Sequence, residues 1–284
     1  MKIIALGPKG SYGHEAAQIA RRGMELGDET PICFVSTNVG ILQAAESEAE
    51  FAIIPVENST YGDVVDVLGY LARQSIKYPL RIIGQVELPV RHCLMVRSEN
   101  SIADLEVIMS HPQAIGQCSE SIKRWGLKTE VSTSTAAAAK FVAENPDIKI
   151  GAIASELAAS EYGLKVLERN VQTFEDNTTR FFVFGRPRRK LPTGNDKTVV
   201  IFRIPNQSGA LIEALIPFAS RNINMASIHS IALGGWSYGF YVEIDGHERD
   251  PQVHEALHEL VEKTTEQWVL GSFPKEMRPD TILF

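Results

Sequence analysis

Short apolar runs, each followed by a stretch with helical spacing, recur through residues 1–160 and restrict the chain to few architectures. KIIAL (2–6) reads as a buried strand and leads through the glycine-punctuated loop GPKGSYG into a helix carrying Ala16, Ala17, Ile19 and Ala20. A strand at 32–35 precedes a helix with Val39, Leu42 and Ala45 at helical spacing. FAIIPV (51–56) precedes one with Val64, Val67, Leu68 and Leu71 on one face. Strands that are apolar at every position need cover on both sides, and intervening helices supply it. The pattern therefore predicts an α/β unit with a largely parallel sheet.

A second run of the same kind covers about 90–160, with strands near RHCLMV, LEVIMS and KIGAIA and helices beginning near Pro112 and Ser134. The run RFFVFG (180–185) follows both blocks. The expectation is a two-lobed domain over 1–185, one lobe formed by 1–80 plus 164–185 and the other by 81–163, with a cleft between them. Residues 186–196, rich in proline, glycine and charge, read as a linker. From 197 to 273 the order becomes β-α-β-β-α-β, the ferredoxin-like split motif, with a hairpin signal at Gly234-Gly235. Residues 274–284 form a C-terminal tail.

Bulk properties narrow the functions. The 284 residues carry a net charge of −7, which argues against a general nucleic-acid or membrane-surface role. The one basic run, Arg186-Pro187-Arg188-Arg189-Lys190, reads as part of the solvated linker. Cys33, Cys93 and Cys118 are widely spaced and form no CxxC pair, as in a protein with reduced thiols. MKIIALGPKG is too brief an apolar run for a signal-peptide core, and no stretch has the length of a membrane span, so the cytoplasm is expected. The histidines are scattered. His254 and His258 stand four apart but lack a third ligand nearby, and no metal site is expected.

Four polar segments sit where strands meet loops or helices. GPKGSYG matches neither GxGxxG nor a P-loop, yet it runs into a helix N-terminus and offers backbone N–H groups, Ser11 and Tyr12 to an anion, unless it is an ordinary turn. Glu57-Asn58-Ser59 ends a buried strand, the usual place for ligands in open α/β sheets, though Asn58 or Ser59 would equally cap the following helix. Ser134-Thr135 opens an alanine-rich helix, as a cap, an anion site or both. Asn177-Thr178-Thr179-Arg180 stands at the mouth of the strand Phe181-Phe182-Val183-Phe184.

In order, GPKGSYG, IPVENSTYG, RHCLMV, SHPQAIGQC, STAAAAK, AIASELAASEYGL and NTTRF resemble prephenate dehydratases along residues 1–185. Residues 196–273 resemble the ACT regulatory domain that commonly follows, including Gly209-Ala210-Leu211. The resemblance implies a periplasmic-binding-protein-like catalytic domain and a ferredoxin-like effector domain. It implies conversion of prephenate to phenylpyruvate, water and carbon dioxide on the way to phenylalanine, without a cofactor. Losing the ring hydroxyl and the carboxylate opposite it aromatises the ring, so the enzyme must mainly help hydroxide depart.

By that resemblance Thr179 stands at the leaving oxygen, with Glu57 the competing proton donor. Arg180 would pair with a substrate carboxylate or form a structural salt bridge. Phe181 would pack in the cleft wall. Ser11, Tyr12, Asn58, Ser59, Ser134 and Thr135 would hold the carboxylates and ketone. An amino-acid effector, L-phenylalanine or another aromatic, would use Asn206, Ser208, Gly209, Ala210 and Leu211 with His229 and Ser230, in a homodimer or homotetramer. One departure bears on regulation. Many members carry Glu-Ser-Arg-Pro where this chain has His229-Ser230-Ile231-Ala232, so a weakened or altered response to phenylalanine is expected. Arogenate dehydratase, which takes an amino group in place of the ketone, shares the motifs. A non-catalytic amino-acid sensor is the alternative of another class.

Overall fold

The computed structural model describes residues 1–47, 50–74, 80–97, 99–146, 148–186, 191–234 and 237–275. The basic run at 187–190, Gly235 of the hairpin signal and most of the tail lie outside the described residues. In chain order the elements of the first half are β1 (Ile3–Leu6), α1 (Tyr12–Gly23), β2 (Ile32–Val35), α2 (Asn38–Ser47), β3 (Phe51–Asn58), β4 (Gly62–Asp63), α3 (Val65–Gln74) and β5 (Arg81–Pro89). Then come β6 (Cys93–Val96), β7 (Val107–Ser110), α4 (Pro112–Gln117), α5 (Ser119–Trp125), β8 (Lys128–Val131), α6 (Thr135–Glu144), β9 (Ile150–Ala154), α7 (Glu156–Tyr162), β10 (Lys165–Arg169) and β11 (Thr178–Gly185). The C-terminal unit is β12 (Asp196–Arg203), α8 (Ala210–Ala219), β13 (Met225–Gly234), β14 (Ser237–Asp245), α9 (Pro251–Lys263) and β15 (Glu266–Pro274).

Two sheets form the two lobes. The first has the order β2-β1-β3-β11-β5 with β4 beside β3, and the second β10-β6-β9-β7-β8. In the first sheet β11 runs antiparallel to both neighbours; in the second β6 does. Each is the strand that begins just after the chain changes lobe, and the arrangement is that of periplasmic-binding-protein-like folds. Two placements correct the expected lobe limits. β5 belongs to the first sheet, paired with β11 along Arg81–Pro89, and β10 belongs to the second, paired with β6. The crossings are therefore at 90–92 and 170–177, tied to each other by Val90 N–H to the Asn177 carbonyl (2.8 Å) and Val171 N–H to that of His92 (3.0 Å).

Strand alternation divides the first lobe's apolar residues between its faces. Ile3, Ala5, Ile53, Phe181 and Val183 pack under α1 with Ala16, Ala17 and Ala20. Ile4, Ala52, Ile54, Phe182 and Phe184 point the other way, to Leu42 of α2 and to Val67, Leu68 and Leu71 of α3. That second cluster continues into the C-terminal domain through Val199, Ile201, Tyr241, Leu270 and Phe273. The β13-β14-β12-β15 sheet is thus covered on both faces. Val199 and Ile201 meet the catalytic unit, whereas Val200 and Phe202 meet α8 and α9. β15 abuts β5 so closely that a Cβ at Gly271 would lie 2.2 Å from the Ile82 carbonyl oxygen. Among the described residues no helix is long and apolar enough to cross a membrane.

Candidate active site

The cleft between the lobes is a cavity of about 680 Å³. The carboxyl end of β3, the start of β11, β4 with the start of α3, and the first turns of α1, α4 and α6 all reach it. Of the residues expected there, Ser11, Tyr12, Asn58, Ser134, Thr135, Thr179 and Phe181 line it. Strand alternation explains the last two, because Thr179 and Phe181 share a face of β11.

Thr179 is held by a chain of hydrogen bonds with only one self-consistent orientation. Asn58 Oδ1 accepts from the backbone N–H groups of Thr60 (3.1 Å) and Tyr61 (3.0 Å), which fixes the amide. Its Nδ2 then donates to Asn177 Oδ1 (2.7 Å) and Thr179 Oγ1 (2.9 Å). Thr179 Oγ1 is an acceptor in this network, so its own proton is free to be donated into the cleft.

The hydroxyls at the helix starts are partly committed. Ser11 Oγ donates to the Leu6 carbonyl (2.8 Å) and accepts from His14 N–H, so it caps α1 and leaves ligand binding to backbone N–H groups. Ser134 Oγ accepts from Ala137 N–H (3.0 Å) and retains its proton for a ligand. Tyr12 reaches from α1 to the forward crossing, its hydroxyl 2.7 Å from the Arg91 carbonyl and 2.9 Å from His92 Nδ1. Burial pushes the Tyr12 hydroxyl's pKa well up and that of His92 down, and His92 Nε2 meets Gln117 Oε1 at 2.7 Å. Tyr12 thus remains a neutral phenol, and His92 tends to the neutral form. Among the cleft's described lining residues there is no lysine or arginine; Asp63 and Asp66 are its carboxylates. Helix N-termini and polar side chains are therefore the anion-binding groups it offers in place of lysine or arginine.

Glu57, Arg180 and Ser59 are not in the cleft lining, which corrects the roles expected of them. Glu57 and Arg180 are paired in the β3–β11 register and face the regulatory domain. Arg180 donates to both oxygens of Glu243 (2.7 and 2.6 Å) and to Glu57 (2.7 Å), while Lys197 reaches Glu243 at 3.2 Å. Burial alone would raise the Glu243 pKa, but Arg180, with the Tyr241 hydroxyl and Lys197, outweighs it and holds the carboxyl below its ordinary value. The structural salt bridge is therefore the reading of Arg180 that its contacts support. Ser59 Oγ donates to the Asp176 carbonyl and accepts from Thr178 N–H, tying two loops together.

In the regulatory domain a cavity of about 310 Å³ opens between the start of α8 and the end of α9, lined by Gln207, Ser208 and Ala210 opposite Lys263 and Thr265. Asn206, Gly209 and Leu211 flank this lining without joining it. Gly209 is the residue before α8, at φ 83°, a conformation that favours glycine. His229 and Ser230 are elsewhere. Ser230 is exposed on β13, and His229 turns to the catalytic unit, its Nδ1 2.5 Å from Asp63 Oδ2. Asp63, His92, Gln117 and Glu243 were not singled out from sequence, and Asn177 was named only as part of the polar mouth of β11. Each owes its role to a partner distant in the chain.

Two lobes around a donor-lined cleft, fused through a continuous core to a βαββαβ domain, define a small-molecule enzyme that carries its own regulatory module. The prephenate dehydratase family model matches residues 3–189 and the ACT domain model residues 198–262. The chain belongs to the prephenate dehydratase family. The bifunctional chorismate mutase/prephenate dehydratase of Enterobacter agglomerans is 35% identical over 280 residues, which span 97% of this chain and 71% of the relative. The crystal structure of an Arthrobacter aurescens prephenate dehydratase in complex with L-Phe is similar, with a TM-score of 0.84 and 31% identity, covering 99% of this chain and 91% of that one. So is GqqA, described as a novel type of quorum quenching acylase, with a TM-score of 0.85 and 32% identity, covering 97% of this chain and 98% of that one.

Proposed function

We propose that the chain converts prephenate to phenylpyruvate, carbon dioxide and water without a cofactor, in the cytoplasm. The observation that carries this is the Thr179 hydroxyl, oriented by Asn58 so that its proton is free toward the cleft. The electrons of the breaking C–C bond to the ring carboxylate flow into the ring and expel the hydroxyl group opposite. Thr179 hydrogen-bonds that departing oxygen or relays a proton to it, so that it leaves as water. Phe181 forms cleft wall, and the N-terminal turns of α1 and α6 with Ser134 and Thr135 receive the carboxylates. An amino acid bound at the start of α8 regulates the enzyme, which works as a homodimer or homotetramer.

The test is to incubate the purified protein with prephenate and follow phenylpyruvate by its absorbance in alkali. Arogenate is assayed in parallel, with phenylalanine as the product to detect. Faster turnover of arogenate would overturn the substrate assignment, and absence of both products would favour a sensor. The likeness to GqqA makes an acylase the rival chemistry. Among the described contacts no cleft serine or threonine hydroxyl is hydrogen-bonded to a histidine ring, the pairing that activates a hydroxyl for acyl transfer. Hydrolysis of an acylated quorum-sensing signal at a rate rivalling prephenate turnover would refute the preference.

A further inference from the structure

Asp63 presents a problem for a cleft that must accept a dicarboxylate, the substrate class on which this inference rests. It lies in the cleft wall, in the short strand β4, where its register partner is another carboxylate, Glu57. Among the described residues, the ion cluster around Asp63 sets Asp63, Glu57 and Glu243 against Arg180 and Lys197, which leaves an excess of one negative charge in it. The cleft lining supplies no lysine or arginine to offset it.

A hydrogen-bond partner for Asp63 comes from the other domain. His229 on β13 places Nδ1 2.5 Å from Asp63 Oδ2, and its Nε2 is 2.5 Å from Ser227 Oγ. The ring centroid lies 5.8 Å from that of Tyr241. With both nitrogens and a face engaged, the imidazole has a fixed orientation, and its Nδ1–H is aimed at the carboxylate. We propose that His229 of the regulatory domain is a positioning residue for substrate binding, which hydrogen-bonds the Asp63 carboxylate and holds it toward the domain boundary so that an anionic substrate can occupy the cleft. His229 touches no substrate; it acts through Asp63.

The test uses the full chain with prephenate, comparing wild type, His229→Gln, Asp63→Asn and the double variant. His229→Gln should raise KM about fivefold, the order expected when the Asp63 carboxylate is no longer held back and faces an anionic substrate across a partly solvated cleft, with kcat changed by less than about twofold. The increase should shrink with added salt, a response that a packing defect would not give. Removing the Asp63 charge should cancel the effect, so the double variant should return close to the wild-type KM. An unchanged KM in His229→Gln, or a double variant as impaired as the single, overturns the proposal. Circular dichroism checks each variant's fold. Should His229→Gln not fold, Asp63→Asn alone decides: a KM at or below that of wild type supports the proposal, and a higher one overturns it. A wild-type enzyme inactive on prephenate overturns the functional reading as well, whereas an active one indifferent to His229 overturns only this inference.

Discussion

Glu243→Ala is the most severe single change that the domain boundary offers. The Glu243 side chain is 1% exposed and binds Arg180 through both oxygens, at 2.7 and 2.6 Å, with Lys197 at 3.2 Å and the Tyr241 hydroxyl in contact. Its loss would leave Arg180, itself 14% exposed, with Glu57 alone, and Lys197 without its carboxylate. Breaking a buried pair by removing one partner costs roughly 3–5 kcal/mol. For a chain of this size each kcal/mol lowers Tm by about 2 °C, so a fall of about 6–10 °C is expected at pH 7. The sign with pH follows from the lowered Glu243 pKa. Its stabilisation is fully present above the unfolded-state value and is lost as pH falls through the folded-state one, so the gap between wild type and variant should narrow in acid. Glu156→Ala is the control, because the Arg169–Glu156 bridge is 59% exposed on both sides and such pairs contribute about 0–1 kcal/mol. Thermal melts by circular dichroism compare the three proteins. A Glu243→Ala melt within about 2 °C of wild type at pH 7 would refute the reasoning.

Thr179→Ala should lower kcat by about a hundredfold or more while KM changes little, the signature of an interaction that strengthens at the departing oxygen. Thr179→Ser should recover part of that loss, and a near-normal kcat in the alanine variant would remove the hydroxyl from the mechanism. Gly271→Ala should force β15 off β5, because its Cβ would lie 2.2 Å from the Ile82 carbonyl oxygen; a destabilisation of about 1–3 kcal/mol in a urea titration is expected. Phenylalanine should bind the regulatory domain but inhibit weakly, since His229 is committed to Asp63. Calorimetry with parallel activity titrations checks this, against a typical coupling of about 1–3 kcal/mol for an effective inhibitor.

Which parts of this architecture are legible in the sequence depends on the range of the interactions that decide them. The alternation of apolar runs identifies most strands, because burial on one or both faces is a local pattern, but it leaves β4, β5 and β10 unnamed. Lobe membership is not local: β5 and β10 join the sheets opposite to those expected because pairing with β11 and β6 decides the matter. Thr179 and Phe181 stand apart from Arg180 by simple strand alternation, yet which face meets the cleft emerges only when the second lobe is in place. The partner of Arg180, Glu243, is 63 residues away, and neither residue's surroundings mark the other. The same holds for Asp63 and His229, whose meeting across the domain boundary has no signature in either segment.

The apolar cluster that runs from Leu71 and Phe182 through Ile201 to Phe273 makes the two halves thermodynamically one object. Phe182 packs edge-on against Phe273, a contact between the strand that carries Thr179 and the last strand of the regulatory domain. Cutting the chain after Gly185 would therefore open a broad oily surface on the catalytic half and send it toward aggregation. Heating the intact chain should give a single cooperative transition rather than two. Variation in either half is then filtered by the other, and a regulatory domain exchanged from a relative must bring the matching underside with it, whatever amino acid it senses.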